Sequence, residues 1–137
     1  MAMGLLSARV APEASEWRIA SAGIYAPAGY PAAQNTLTVL KQRGIDLDQH
    51  RSSQITQDMV KAYQLVLTME RGQKEALQIA FPEEAHKVYL LTEMIGEYWE
   101  IADPVGGSFG DFEETAQEIE QILSDGYKRI CLLAGEE

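Results

Sequence analysis

Asp103 stands directly before Pro104, and Val105, Gly106 and Gly107 follow. Proline has a fixed φ and no amide hydrogen, and it pushes the residue before it out of the α region. Asp103 is therefore expected on an extended or turn backbone, with its carboxyl projecting from a loop. The two glycines let the chain turn sharply just beyond it. Such a carboxyl can serve as a general acid when a leaving group comes within hydrogen-bond reach. Asp and Pro are also ordinary turn formers, so on the segment alone a plain surface turn is the preferred reading.

The elements around this loop alternate. Residues 1–10 read as a helix with Met1, Leu5 and Ala8 on one face, extended by Leu6 and Val10, and with no N-cap before it. Residues 12–15 form a linker, and 17–22 suit a short strand with Trp17, Ile19 and Ser21 on one side. Residues 23–31 make a loop rich in Gly, Pro and aromatics, in which Tyr25 and Tyr30 either line a pocket or cover the edge of the core; covering is the simpler reading. A helix over 32–43 has Gly44 as its C′ residue. Residues 45–53 are irregular, and Thr56 caps a further helix with Asp58 in its first turn. The apolar runs 64–69 and 87–91 suit buried parallel strands, separated by a helix over 71–80 that stops near Pro82. Residues 111–124 are strongly amphipathic, with Phe112, Ala116, Ile119, Ile122 and Leu123 inward and the glutamates outward. Strands alternating with helices predict one α/β domain over 1–137 with a mainly parallel sheet, whose ligands sit at the carboxyl ends of the strands.

With 137 residues and 46% apolar content the chain is long enough for a real core. A net charge of -10 argues against nucleic acid or an anionic membrane as partner, although a small phosphorylated substrate is compatible with a local pocket. There is no apolar run near 18 residues and no secretory signal. The single cysteine, Cys131, cannot form an internal disulfide, which favours a reducing, cytoplasmic setting.

The order of short motifs resembles the low-molecular-weight protein tyrosine phosphatase family, which includes bacterial arginine phosphatases. The matching pieces are Met1-Ala2-Met3-Gly4-Leu5-Leu6, Ser21-Ala22-Gly23, Arg43-Gly44-Ile45-Asp46, His50-Arg51-Ser52, Leu65-Val66-Leu67-Thr68-Met69, Val88-Tyr89-Leu90-Leu91 and Asp103-Pro104. The resemblance implies a three-layer α/β sandwich and hydrolysis of phosphotyrosine or phosphoarginine through a phosphocysteine. It implies no cofactor and no metal. Its substrates would be phosphorylated proteins or small phosphoesters.

Residue by residue, it makes Asp103 the general acid. Ser21 and His50 would hydrogen-bond to the phosphate loop from beneath, although His50 also reads as an ordinary loop histidine. Tyr25, Pro104 and Val105 would border the substrate. Tyrosine-specific members often carry aromatics after the Asp-Pro pair; Val105-Gly106-Gly107 is more like the arginine-phosphatase branch.

In the family a strand and a Cys-x5-Arg phosphate loop precede the segment that resembles Met1-Ala2. Neither the nucleophilic cysteine nor its arginine occurs in this sequence. Cys131 lies in an apolar segment with no arginine after it and is expected to be a small buried hydrophobe. The expectation is thus a chain truncated at its N-terminus and inactive as given. It would lack the central strand between 17–22 and 64–69, and its exposed strand edges would make it prone to oligomerise. The alternative is a pseudophosphatase or binding module that keeps the scaffold without catalysis.

Overall fold

The structure is a computed structural model that describes residues 1–10 and 16–135, so the linker expected over 12–15 lies outside the described residues. The described residues form six α-helices and two strands in the order α1 (Ala2–Val10), α2 (Gln34–Lys41), α3 (Gln57–Ala62), β1 (Val66–Thr68), α4 (Arg71–Ala80), β2 (Val88–Leu90), α5 (Phe109–Asp125) and α6 (Tyr127–Leu133). Short 3-10 turns, Pro82–Lys87 and Leu91–Ile95, flank β2. The residues group into two compact units. One comprises Met1–Gln54 and Pro104–Glu120; the other comprises Ile55–Asp103 and Gln121–Glu137.

In the first unit the buried apolar side chains are Leu5, Val10, Val39, Leu40, Phe112, Ala116 and Ile119. The inward face of α1 differs from the expected one: Gly4, Leu5 and Val10 are buried, whereas Ala8 is exposed. Gly4 explains the shift. A Cβ there would lie 3.1 Å from Leu40 Cδ1 and 3.2 Å from Leu47 Cδ1, so any larger residue would have to push these leucines aside by a few tenths of an ångström. Val10 carries the buried face past Ala8, which turns outward. α2 ends as foreseen. The Gly44 amide donates to Lys41 O (3.0 Å), the Ile45 amide donates to Leu40 O (2.9 Å), and Gly44 has φ +74°, the pattern of a Schellman cap with glycine at C′.

Residues 17–22 do not form the expected strand. Their burial does alternate, with Trp17 and Ile19 half-buried and Arg18 and Ala20 exposed, but no ladder accompanies it. The nearest regular pairing is an isolated parallel bridge between Gly23 and Gln54. Alternation records which side of an extended chain is covered; a strand also needs a backbone partner.

In the second unit β1 and β2 pair in parallel, with Val66 opposite Val88, Leu67 opposite Tyr89 and Thr68 opposite Leu90. The fold is α/β with a parallel sheet, which holds β1 and β2 alone among the described residues. The Thr68 hydroxyl donates to Tyr89 O at 3.0 Å, adding a side-chain rung to the short ladder. Val88 and Leu90 are buried as expected, but in β1 only Thr68 is; Val66 and Leu67 are half-buried. Thr56 caps α3, its hydroxyl accepting the Met59 amide hydrogen at 3.2 Å, with Asp58 in the first turn. Gly126 joins α5 to α6 where a Cβ would sit 2.8 Å from Met94 Cβ and 2.9 Å from Met94 O. Cys131 is only half-buried, against expectation. α6 turns Ile130 inward, and the next residue on a helix points about 100° away.

Candidate active site

Asp103 follows a segment that is fastened at three consecutive residues, Trp99, Glu100 and Ile101. The Thr92 hydroxyl, 1% exposed, donates to Trp99 O (2.8 Å) and accepts from the Trp99 amide (3.2 Å). Arg71 Nε donates to Glu100 Oε1 at 3.1 Å. The Ile101 amide donates to Met69 O at 3.0 Å, and the Ile101 side chain is buried. Met69 directly follows β1, so Asp103 leaves the unit from the carboxyl end of a parallel strand, where α/β sheets place their ligands. Asp103 itself is exposed.

After Asp103 the chain turns as its proline and glycines require. The Gly107 amide donates to Pro104 O at 2.8 Å, and Gly106 takes φ +87° at the third position of the turn. Pro104 is half-buried and Val105 is 69% exposed at the tip. The bare Gly107 makes room for Asp111, whose Oδ2 would lie 2.5 Å from a Cβ there. That carboxylate accepts the Ser108 amide hydrogen (2.9 Å), while Ser108 Oγ accepts the Asp111 amide hydrogen (3.2 Å). Reciprocal capping of this kind starts α5 immediately after the turn.

Ser21 and His50, 29 residues apart in sequence, are brought together: Ser21 Oγ lies 3.4 Å from His50 Nε2, a long hydrogen bond. Ser53 Oγ donates to Ser21 O at 3.2 Å, and the His50 amide donates to Leu47 O at 3.0 Å, so both backbones are held as well. Tyr25 and Tyr30 do not cover a core edge as the simpler reading expected. They are 94% and 62% exposed, because the backbone of their loop is tied to residues 52–54 and the rings are left outward.

Two ionic clusters went unread in the sequence beyond the motif that contains Arg43. The Arg43 guanidinium forks onto Glu113 (Nη2–Oε1 2.7 Å, Nη1–Oε2 3.1 Å), reaches Glu120 Oε1 with Nε (2.9 Å), and donates to Val39 O (3.0 Å). Its hydrogen bond holds the Glu113 carboxyl below the usual range, while Glu113 and then Glu120 push Arg43 above its own. Glu113 and Glu120 lie seven residues apart on α5, a spacing that puts them on one face and would have marked the pair. Lys74 Nζ meets Glu93 Oε2 at 2.9 Å and sits 5.0 Å from the centre of the Tyr98 ring. Burial works against the Lys74 charge, but Glu93 outweighs it and raises the pKa. Glu93 Oε2 also accepts the Leu90 amide hydrogen at 2.7 Å, fastening the end of β2.

Comparison with known proteins identifies the family. The low molecular weight phosphotyrosine protein phosphatase family matches residues 1–130. A probable low molecular weight protein-tyrosine-phosphatase, EpsP, of Ralstonia nicotianae is 37% identical over 115 residues, covering 84% of this chain and 78% of that protein. A protein-arginine-phosphatase of Geobacillus stearothermophilus is 33% identical, covering 77% of this chain and 71% of that one. Among solved structures, a low molecular weight protein tyrosine phosphatase from T. tengcongensis superposes with a TM-score of 0.88 at 30% identity, covering 93% of this chain and 88% of that one. The chain belongs to the low molecular weight phosphotyrosine protein phosphatase family.

Proposed function

We propose that these residues form the acid-bearing part of a protein phosphatase that removes phosphate from phosphotyrosine or phosphoarginine. Asp103 protonates the departing phenol or guanidine while a cysteine thiolate attacks phosphorus, and water later releases phosphate from the phosphocysteine. Ser21 and His50 brace the phosphate loop, and Tyr25, Pro104 and Val105 border the substrate. The observation that carries the reading is the placement of Asp103 after the Ile101–Met69 bond, at the carboxyl end of β1. Valine and glycines directly after the Asp-Pro pair, where tyrosine-specific members of the family often carry aromatics, favour phosphoarginine. A single cysteine and the absence, among the described residues, of any helix long and apolar enough to cross a membrane accord with work in the cytoplasm.

The 137 residues contain no Cys-x5-Arg. Hydrolysis therefore needs a phosphate loop from outside them, and this polypeptide alone should not turn over p-nitrophenyl phosphate or phosphoarginine. A version carrying a strand and a Cys-x5-Arg-Ser-Pro loop ahead of Met1 should hydrolyse both. Turnover by the unextended chain that Asp103→Ala abolishes would refute the account of the missing groups. Failure of a folded, extended chain to act on either substrate would favour a scaffold that binds without catalysis.

A further inference from the structure

We infer that Gln54 and Ser52 are positioning residues that hold the exposed Tyr25 loop in a single conformation, through side-chain bonds that replace a strand ladder. The Gln54 amide grips the backbone on both sides of Tyr25. Its Oε1 accepts the Ala26 amide hydrogen at 2.9 Å, and its Nε2 donates to Ile24 O. A β-partner makes the same pair of contacts with its own N–H and C=O. Here a side chain supplies both, one step beyond the point where regular pairing stops at Gly23 and Gln54.

Ser52 secures the far limb. Its Oγ accepts the Tyr30 amide hydrogen at 3.0 Å and donates to Pro27 O. Its backbone accepts from Gly29 (2.9 Å) and donates to Tyr30 O (2.7 Å). Every fastening in this set reaches main chain, none reaches a ring, and Tyr25 remains 94% exposed.

A loop tip with two exposed tyrosines would ordinarily sample many conformations. Ordering it in advance removes that entropy from any later binding event. That Tyr25 meets a substrate rests on the function proposed above. That the loop is clamped does not, and the two fail separately.

The test uses the chain as it stands and needs no turnover. Chymotrypsin cuts after exposed aromatics only where the backbone can open. Pro31 follows Tyr30 and blocks a competing cut there. The wild type should resist cleavage at Tyr25–Ala26 despite the exposure of the ring. Gln54→Ala and the near-isosteric Gln54→Glu, which keeps the acceptor but sets a charged oxygen against Ile24 O in place of the donor, should each speed that cut roughly tenfold, equivalent to about 1.4 kcal/mol of local opening. Cleavage after Tyr98 and the Tm should stay unchanged. Ser52→Ala should act alike, and Ser52→Thr, which keeps the hydroxyl, should restore resistance. Equal cleavage in wild type, Gln54→Ala and Gln54→Glu would overturn the proposal. So would acceleration at Tyr25 and Tyr98 together with a lowered Tm, because that marks general loosening.

Discussion

Asp103 contributes a carboxyl, but residues 92–101 determine where it is. An acid that protonates a leaving group matters most when the leaving group is poor. With the phosphate loop supplied, Asp103→Ala should slow hydrolysis of an alkyl-substituted phenyl phosphate by about 10²–10⁴-fold. The loss should be clearly smaller with p-nitrophenyl phosphate, whose phenolate departs readily. An equal loss on both substrates would reduce Asp103 to a loop-shaping residue. A different carboxylate has a pH signature. Arg43 holds the folded-state pKa of Glu113 below its unfolded value, so the stability from this pair is present above the unfolded value of about 4.3. It is lost as pH falls through the folded value. Arg43→Met should therefore lower the urea midpoint at pH 7 and lower it less at pH 3. A loss that is constant across that range would mean that Arg43 acts by packing alone. The Asp-Pro loop was legible from local chemistry because proline and glycine restrict their own backbone. The partners of Arg43 were not: Glu113 and Glu120 lie 70 and 77 residues away, and nothing local in the chain specifies such a distance.

Among the elements, α5 was the clearest. All five side chains expected to face inward are buried, because a 3.6-residue period leaves one stripe for the core. Residues 17–22 were misread, since their alternation is real but pairing depends on chain far away in sequence. Two glycines show how one residue type does two jobs. Gly44 is needed for its φ of +74°, and nothing lies within 4 Å of where its Cβ would be. Gly126 has an ordinary φ of -98° but is crowded by the Met94 and Ile122 carbonyls. Gly44→Ala should cost about 1–2 kcal/mol, with Gly44→Asn recovering part of it because asparagine tolerates the left-handed region. Gly126→Ala should cost about 1–3 kcal/mol, and Gly126→Asn more, because here bulk is the difficulty. Chemical denaturation of the four variants checks this; the same order of Ala and Asn at both positions would contradict it.

At the scale of the molecule, neither unit is a continuous piece of chain. The backbone passes from one to the other after residues 54, 103 and 120, the last time within α5. α5 carries buried apolar residues of both units, Phe112, Ala116 and Ile119 before the division and Ile122 and Leu123 after it, on one hydrogen-bonded helix. Thermal unfolding should therefore be one cooperative transition, with calorimetric and van't Hoff enthalpies equal. A fragment ending at Asp103 should lack stable tertiary structure by near-UV circular dichroism. Two resolved transitions would show the units to be independent. The shared helix also governs how the family can vary over evolutionary time. Between Phe112 and Ile122, one inserted or deleted residue would rotate everything downstream by about 100°. Ile122 and Leu123 would swing into water and polar neighbours into the core. Glu114 and Glu118, exposed and outside the Arg43 cluster, are thus free to drift in identity, while a change in the length of α5 is costly and insertions are better borne by the loops.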